Sequence, residues 1–211
     1  MALSSHALTT VNEVKNELEI SPSDTSQDAL IERLINAASE AIENYCDRHF
    51  EKAQVTERLA GYGRSRIVLS RTPVLQIVSV SVNGSVLPAD SYMLEDAETG
   101  FLYRLDGVWP WTARYMSGTI TSIQQPGSEE RSIEVTYIGG YVLPKDDSAA
   151  TPRTLPYIIE QACIATVASM YRRRGSDLNI LRESLQSAMV AYALQELPEI
   201  VKKWLEPYRR F

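Results

Sequence analysis

The segment spanning residues 24–48 constrains the fold more than any other part of the sequence. Its apolar side chains recur every four residues along one ridge, at Leu30, Leu34, Ala38, Ile42 and Cys46. Ile31 and Ile35 widen this ridge into a stripe, and the opposite face is polar and charged. The 3.6-residue period predicts a long amphipathic helix with its N-cap among residues 24–26. A stripe this wide needs a large partner surface, and the best candidate is a second apolar helix predicted over residues 156–174.

Composition and charge restrict the classes of protein to consider. A chain of 211 residues forms one domain, or one domain with a large insertion. The net charge of −6 gives no reason to expect binding to duplex DNA, which usually requires a basic face. No apolar run approaches the roughly 20 residues of a membrane span. Residues 1–9 lack the basic and apolar regions of a signal peptide, so we expect them to form a flexible polar arm.

Between about residues 54 and 142 the apolar period changes from 3.6 to 2, which predicts strands. Val78, Val80 and Val82 alternate with serines, and Asn83-Gly84 then favours a tight hairpin turn. Two further hairpins are predicted, the first pairing 92–95 with 101–105 and the second pairing 118–124 with 131–138. The predicted class is α+β, in which residues 10–50 and 153–211 form a helical bundle. Residues 51–152 are expected to be an inserted domain containing an antiparallel β-sheet or a small barrel.

The C-terminal part of the sequence is predicted to be helical. The second large helix begins near Pro156, and Gly175 follows it as a good C-terminal cap. The apolar spacing of residues 176–195 permits another helix. A final short helix begins at Leu197 and is ended by Pro207.

The sequence offers no convincing metal or thiol chemistry. Cys46 and Cys163 each fall on the apolar face of a predicted helix, so we expect buried, reduced thiols and a cytosolic origin. The two histidines are His6 and His49. A single Cys46-x-x-His49 pair supplies two ligands, whereas zinc sites need three or four. We therefore predict no metal and no cofactor.

Catalytic motifs are also missing from the sequence. It contains no phosphate-binding glycine loop, dinucleotide fingerprint or nucleophile elbow. Four carboxylates near one hairpin would suit a hydrolase with paired acids, and they are Asp90, Glu95, Asp96 and Glu98. A solvated turn explains them better, because Asp and Glu readily occupy turns. We predict that the protein is not an enzyme.

Two aromatic segments are candidates for partner contacts. Trp109-Pro110-Trp111 forms a stiff knob, for which packing against the sheet is the favoured interpretation and a subunit contact the alternative. The C-terminal tail mixes aromatic residues with arginines, as interfaces do. The candidate partner-binding residues are Trp109, Trp111, Trp204, Tyr208, Arg209, Arg210 and Phe211.

Basic clusters leave one alternative function open. Residues 172–174 are three arginines at a helix C-terminus, where cations suit the helix dipole. Together with Arg209 and Arg210 they could instead form a nucleic-acid-binding module, which would bind DNA in a salt-dependent manner.

Ten short stretches, in this order, carry a resemblance to a known family. They are VNEVK (11–15), LIERLI (30–35), AIENYCDR (41–48), RTPV (71–74), VSVSVNG (78–84), YML (92–94), GFLYRL (100–105), IEVTYIGGY (133–141), PYIIEQA (156–162) and LEPYR (205–209). The chain resembles the head–tail connector (adaptor, or head-completion) proteins of long-tailed bacteriophages, in the longer version with a β-rich insertion. It departs from that pattern over residues 176–196, which look longer and more helical than the family's loop.

The resemblance implies a structural virion protein without catalysis. Such proteins look like a helical bundle formed by both chain ends, and they assemble as a ring, expected to be a dodecamer, below the portal. The ring extends the DNA channel and offers a docking platform to the tail or stopper protein. The expected partners are further copies of the chain, the portal, the tail or stopper protein, and DNA that passes without sequence-specific binding, but no membrane. The expected location is the head–tail interface of the virion, after synthesis in the host bacterial cytoplasm.

Overall fold

The computed structural model describes residues 2–110, 132–173, 182–185, 188–191 and 197–210. The α-helices are α1 (Val11–Glu17), α2 (Asp28–Cys46), α3 (Tyr157–Arg172) and α4 (Glu199–Leu205). The strands are β1 (Ala53–Leu59), β2 (Arg66–Val68), β3 (Val74–Val82), β4 (Ser85–Val86), β5 (Tyr92–Asp96), β6 (Phe101–Arg104), β7 (Ile133–Gly139), β8 (Arg182–Leu185) and β9 (Ala188–Ala191). Short 3₁₀ turns occur at Ala89–Ser91, Pro144–Asp146 and Glu206–Tyr208.

The chain divides into two compact units. The helical unit contains Met1–His49 and Val142–Phe211, and the sheet unit contains Phe50–Tyr141. The second boundary therefore lies at Val142 and not at residue 153, the predicted start of the helical segment. The backbone N–H of Val142 donates to Thr154 Oγ1 at 2.9 Å, and its carbonyl accepts from the N–H of Thr154 at 3.1 Å. These bonds tie the loop after Val142 to the start of the helical segment.

Helix α2 forms where the apolar period predicts it. Its buried stripe contains Ile31, Ile35, Ala38, Ile42 and Cys46. At the start of the helix the buried ridge contains Ile31 and Ile35. The predicted ridge residues Leu30 and Leu34 are only half-buried. The N-cap is Gln27, which makes no side-chain capping bond. Asp24, a predicted cap, instead accepts the Ser26 N–H at 2.9 Å in the preceding turn.

Helix α3 is the principal neighbour of α2, and it also contacts α1 and α4. Its buried face contains Ile159, Ala162, Cys163, Thr166 and Val167. Ser39 on α2 lies within this contact, and its Oγ is 3.6 Å from the Sγ of Cys163. The two apolar faces predicted to be partners therefore bury each other, as the wide stripe of α2 requires. No helix in the described part of the chain is both long and apolar enough to cross a bilayer.

The N-terminal residues do not form the flexible arm expected for residues 1–9. Ala7, Leu8 and Thr9 are fully buried. The backbone N–H of Leu8 donates to Ser39 Oγ at 3.0 Å, and that of Ser4 donates to the side chain of Asn36 at 2.9 Å. The expectation was wrong because side chains of α2 supply acceptors for backbone groups that would otherwise need water.

The described residues of the sheet unit form two antiparallel sheets. One has the strand order β1-β7-β3-β4 and the other has the order β2-β6-β5. Their shared core is formed by Ile67, Leu69, Val74, Val80, Leu102, Trp109, Ile133, Val135 and Tyr137. Both sheets are open in the described residues, since β1 and β4 are edges of the first, so the small barrel considered from the sequence does not form there.

The predicted pairings of the strands are partly correct. Asn83 and Gly84 have φ values of 52° and 79° and close the β3–β4 hairpin, as their sequence predicts. Strands β5 and β6 form the second predicted hairpin. Strand β7, however, pairs with β1 on one side and β3 on the other. Its predicted partner, residues 118–124, lies outside the described residues.

Residues 176–195, whose apolar spacing permits a helix, contain the strands β8 and β9. Arg182–Leu185 and Ala188–Ala191 pair as an antiparallel hairpin. The apolar spacing of this segment suits either period, so pairing between β8 and β9 decides the local conformation. The remaining residues of 174–196 are outside the described part of the chain.

We expect Gly140 to be indispensable to the sheet unit. Its φ is +95°, and a Cβ at this position would overlap the carbonyl oxygen of Glu51. Gly140→Ala should lower the free energy of unfolding by more than about 3 kcal/mol, because left-handed strain and backbone overlap add together. Gly84→Ala is the matched control, since its φ is +79° but a Cβ there would meet nothing within 4 Å. It should cost about 1–2 kcal/mol in urea unfolding. Equal losses for the two variants would contradict the steric argument.

We expect Ser39→Ala to release the N-terminal segment. The variant leaves the buried N–H of Leu8 without its acceptor, which should cost about 1–3 kcal/mol of unfolding free energy. Hydrogen exchange of the Leu8 amide should accelerate more than exchange in the centre of α2. The control is Ser23→Ala, because Ser23 is exposed and its hydroxyl lies 2.8 Å from that of the exposed Ser21. Unchanged Leu8 exchange would show that the bond does not hold the segment.

Candidate assembly surfaces

The C-terminal tail, residues 204–210, runs back along the end of α2. The N–H of Arg210 donates to the Cys46 carbonyl at 2.9 Å. A side-chain N–H of Arg48 donates to the Tyr208 carbonyl at 3.4 Å, and the Arg209 guanidinium lies 5.2 Å from the centre of the Tyr45 ring. The last carbonyls of a helix lack partners within the helix, so the tail satisfies one of them. This docking gives the tail a defined position on the helical unit.

The exposed part of the tail has the composition of an interface. Trp204 and Tyr208 are half-buried, whereas Arg209 and Arg210 are exposed. Aromatic rings and arginines are enriched at contact sites because they combine large apolar area with directed hydrogen bonding. Four of the predicted contact residues, Trp204, Tyr208, Arg209 and Arg210, thus lie on this docked segment with part or all of their side chains exposed. Phe211 lies outside the described residues.

The Trp109 side chain lies in the core of the sheet unit. It is fully buried, and its backbone N–H donates to the Arg64 carbonyl at 2.8 Å. The Arg104 guanidinium lies 5.5 Å from the ring centre. A Cβ at Gly61 would collide with the Trp109 Cβ, so this glycine is needed for the ring's approach. The burial agrees with the packing interpretation, and Trp111 lies outside the described residues.

Strand β3 displays two apolar side chains that the sequence pattern did not identify. Leu75 is 51% exposed and Val78 is 48% exposed, while Val80 is fully buried. Simple alternation would put Val78 and Val80 on the same face. Register shifts interrupt the ladder between Val74 and Gln76, and again between Ile77 and Ser79. Such bulges turn side chains to the other face. We call Leu75 and Val78 the β3 apolar pair.

The helical unit also exposes large apolar side chains. Tyr157, at the start of α3, is 76% exposed, and the Arg153 guanidinium lies 4.3 Å from its ring centre. Ile200 on α4 is half exposed. Isolated exposed residues are normal on a protein surface, so these two carry less weight than the β3 apolar pair.

Two of the arginines in the basic clusters contact other residues of the chain. Arg172 lies 4.0 Å from the Glu17 carboxylate, and Arg209 stacks on Tyr45. Arg174 is outside the described residues. The contacts of Arg172 and Arg209 reduce the positive potential available to a nucleic acid.

The carboxylates near the β5–β6 hairpin do not form a catalytic cleft. Asp90, Glu95, Asp96 and Glu98 are all exposed. Hydrogen bonds from the Thr99 hydroxyl and the Glu98 N–H hold the pKa of Asp96 below its usual value. Arg66 lies 2.8 Å from Glu95. A paired-acid hydrolase needs its acids in an enclosed site, whereas these four carboxylates are exposed to water.

The two thiols are inert, as predicted from their helical faces. Both are free and buried. Burial raises the pKa of Cys46 to about 11 and that of Cys163 to about 12. The thiolate is the form of cysteine that acts as a nucleophile or binds a metal, and a raised pKa disfavours it in both residues.

One ligand set was missed in the sequence. His49 does not pair with Cys46 as a ligand but lies beside Glu43 and His6. Residue 6 is distant from the other two in the chain, so no local spacing signals the cluster.

Comparison with known proteins identifies the family. A family model described as "Head completion protein" matches residues 7–211. No curated protein sequence matches the chain significantly.

Three solved structures have similar folds over almost the whole chain. The first is from the neck of an empty GTA particle computed with C6 symmetry, with 16% identity, a TM-score of 0.60, and coverage of 100% of this chain and 93% of that chain. The second is from the neck of a native GTA particle computed with C12 symmetry, with 16% identity, a TM-score of 0.54, and coverage of 97% and 91%. The third is from the virion of a native gene transfer agent particle, with 16% identity, a TM-score of 0.57, and coverage of 100% and 93%.

These likenesses establish the fold, and the family model covers nearly the entire sequence. The protein therefore belongs to the head completion protein family, whose members are structural virion proteins and not enzymes.

Proposed function

We propose that this protein is a head-to-tail connector that assembles as a homo-oligomeric ring under the portal of a phage-like virion. The observation that carries the proposal is the family match over residues 7–211, together with a fold shared with neck chains. Two of those neck structures were computed with C6 and C12 symmetry. Twelve copies around the channel would be compatible with both symmetries, and we propose a dodecamer.

The helices from the two chain ends would act as the bundle of the connector. Helix α2 contacts α3, and α3 contacts α1 and α4. In this proposal the bundle is the rigid scaffold of each subunit, with the sheet unit inserted between its halves. Rigid elements hold contact surfaces more precisely than loops do, which suits a component of a symmetric ring.

The ring would extend the DNA channel without gripping DNA. The chain carries a net charge of −6, which disfavours tight binding to phosphates. DNA would therefore pass without sequence-specific recognition. The alternative, a nucleic-acid-binding module, requires free cations, whereas Arg172 and Arg209 already have partners in this structure.

The described surfaces suggest where contacts form. We propose that the β3 apolar pair lies in a contact between subunits, because bulges expose it on an otherwise regular strand. We propose that the C-terminal tail contacts the portal or the tail and stopper proteins. Trp109 would support these contacts indirectly, by holding the core of the sheet unit. The ring would lie at the head–tail interface of the virion, after synthesis in the host bacterial cytoplasm.

We expect Val78→Asp to weaken ring assembly without unfolding the protein. A charge at the centre of a subunit contact would lose apolar burial and require desolvation, which should reduce association by about tenfold or more. The measurement is mass by light scattering over a wide concentration range, with negative-stain images, alone and with the purified portal of the same phage. Gln54→Asp is the control, because Gln54 is exposed on β1 of the same sheet.

The wild-type protein should form a closed ring with a central hole, either alone or on the portal. A wild-type monomer that also fails to bind the portal would contradict the connector proposal. Assembly of Val78→Asp equal to that of the control would instead remove only the β3 apolar pair from the interface.

We expect the double variant Arg209→Glu and Arg210→Glu to weaken binding to a partner protein. Both side chains are exposed, and the bond from Arg210 to Cys46 uses the backbone N–H, so the fold should survive. The control is Arg33→Glu with Lys203→Glu, which changes the net charge equally at other exposed positions. In pull-downs with the portal and with the tail or stopper protein, less of the Arg209/Arg210 variant than of the control variant should bind. Salt-sensitive DNA binding by the wild type, lost only in the tail variant, would favour the nucleic-acid module.

A further inference from the structure

Three side chains without a role in the connector proposal meet beside the C-terminal end of α2. The Nδ1 of His49 lies 2.9 Å from Glu43 Oε2, and the Nδ1 of His6 lies 3.7 Å from the same oxygen. One possible ligand atom from each residue lies within 4.8 Å of those of the other two. The ring centres of His6 and His49 are 5.6 Å apart, and the ring planes are tilted by 39°.

These separations suit a tetrahedral metal centre. Zinc holds nitrogen and oxygen ligands at about 2.0–2.2 Å, which places neighbouring ligand atoms about 3.3–3.5 Å apart. The two distances to Glu43 Oε2 lie on either side of that value. Small rotations of the histidine rings would therefore bring three ligands to one ion. Both histidine rings retain solvent access, so water can occupy the fourth position.

The electrostatic setting also favours a cation. Glu43 is only 6% exposed and lies in the last turn of α2. A carboxylate there faces the negative end of the helix dipole, and burial increases the cost of its charge. A bound divalent ion would offset both effects.

We propose that His6, Glu43 and His49 bind a divalent transition-metal ion, of which Zn²⁺ fits best. Two imidazoles and one carboxylate suit zinc and its neighbours, whereas Mg²⁺ and Ca²⁺ prefer all-oxygen sites. The ion joins the N-terminal segment to α2 and to the last residue before the sheet unit begins. It acts as a structural staple, since it binds the folded arrangement and not the separated residues.

The test uses the full chain after removal of any affinity tag and treatment with a chelator. Calorimetric titration should show one Zn²⁺ per chain, and Zn²⁺ should raise the melting temperature. His6→Ala, His49→Ala and Glu43→Gln should each weaken binding about tenfold or more, since even residues that only support ligands contribute 10- to 100-fold. The chain has two histidines, so no third imidazole can substitute. Glu40→Gln is the matched control, because Glu40 is exposed on the same helix.

His49→Ala is the decisive variant, since this exposed side chain can be removed without opening the core. Circular dichroism should show that it folds as the wild type does. Co²⁺ substitution gives a second measurement, in which the visible bands should appear without the intense near-ultraviolet absorption of thiolate ligands. Absence of saturable Zn²⁺ binding, equal affinity in folded His49→Ala, or a thiolate band from Cys46 or Cys163 would each overturn the proposal.

Discussion

The contact between α2 and α3 is the interaction on which the rest of the structure depends. Each helix has an apolar face too large to leave in water, and the two lie at opposite ends of the chain. Closing a loop of this length costs only slightly more than closing a shorter one, because the entropy grows with the logarithm of length. The sheet unit can therefore occupy the long connection between them. Ser39 adds specificity to the apolar contact, since its hydroxyl meets both the Leu8 N–H and the Cys163 thiol.

The same arrangement explains why the N-terminal residues are ordered on the helical unit. Leu8 and Ala7 have small or medium side chains that fill space beside α2, and their backbone finds polar partners there. A segment with this composition would remain solvated without that surface. Order at the N-terminus is therefore a consequence of the α2–α3 contact, and the proposed metal cluster depends on it because His6 lies on the same segment.

Irregular features, and not the regular core, mark the surfaces proposed for assembly. The bulges in β3 turn Leu75 and Val78 outward while Val80 keeps its place in the core. The C-terminal tail likewise changes from the α-helix α4 to a short 3₁₀ turn and then contacts the end of α2. A head completion protein needs surfaces for protein partners and no catalytic groups. In keeping with that need, the described thiols are buried with raised pKa values, and the carboxylates of the β5–β6 hairpin are exposed.

Local patterns in the sequence predicted the elements whose conformation depends on near neighbours. The apolar period predicted α2 and α3, Asn83-Gly84 predicted its hairpin, and the alternation of valines predicted β3. The family resemblance was confirmed by the match over residues 7–211.

Features that depend on distant residues required the folded structure. Any strand can form hydrogen bonds along both of its edges, so the residues of β7 alone could not show that its partners are β1 and β3. The Val78 orientation depends on a bulge, which shifts the register without changing the alternating pattern. His6, Glu43 and His49 meet only because the N-terminal segment packs on α2. Backbone preferences act over a few residues, whereas pairing, register and ligand geometry arise from tertiary packing between segments that the sequence separates.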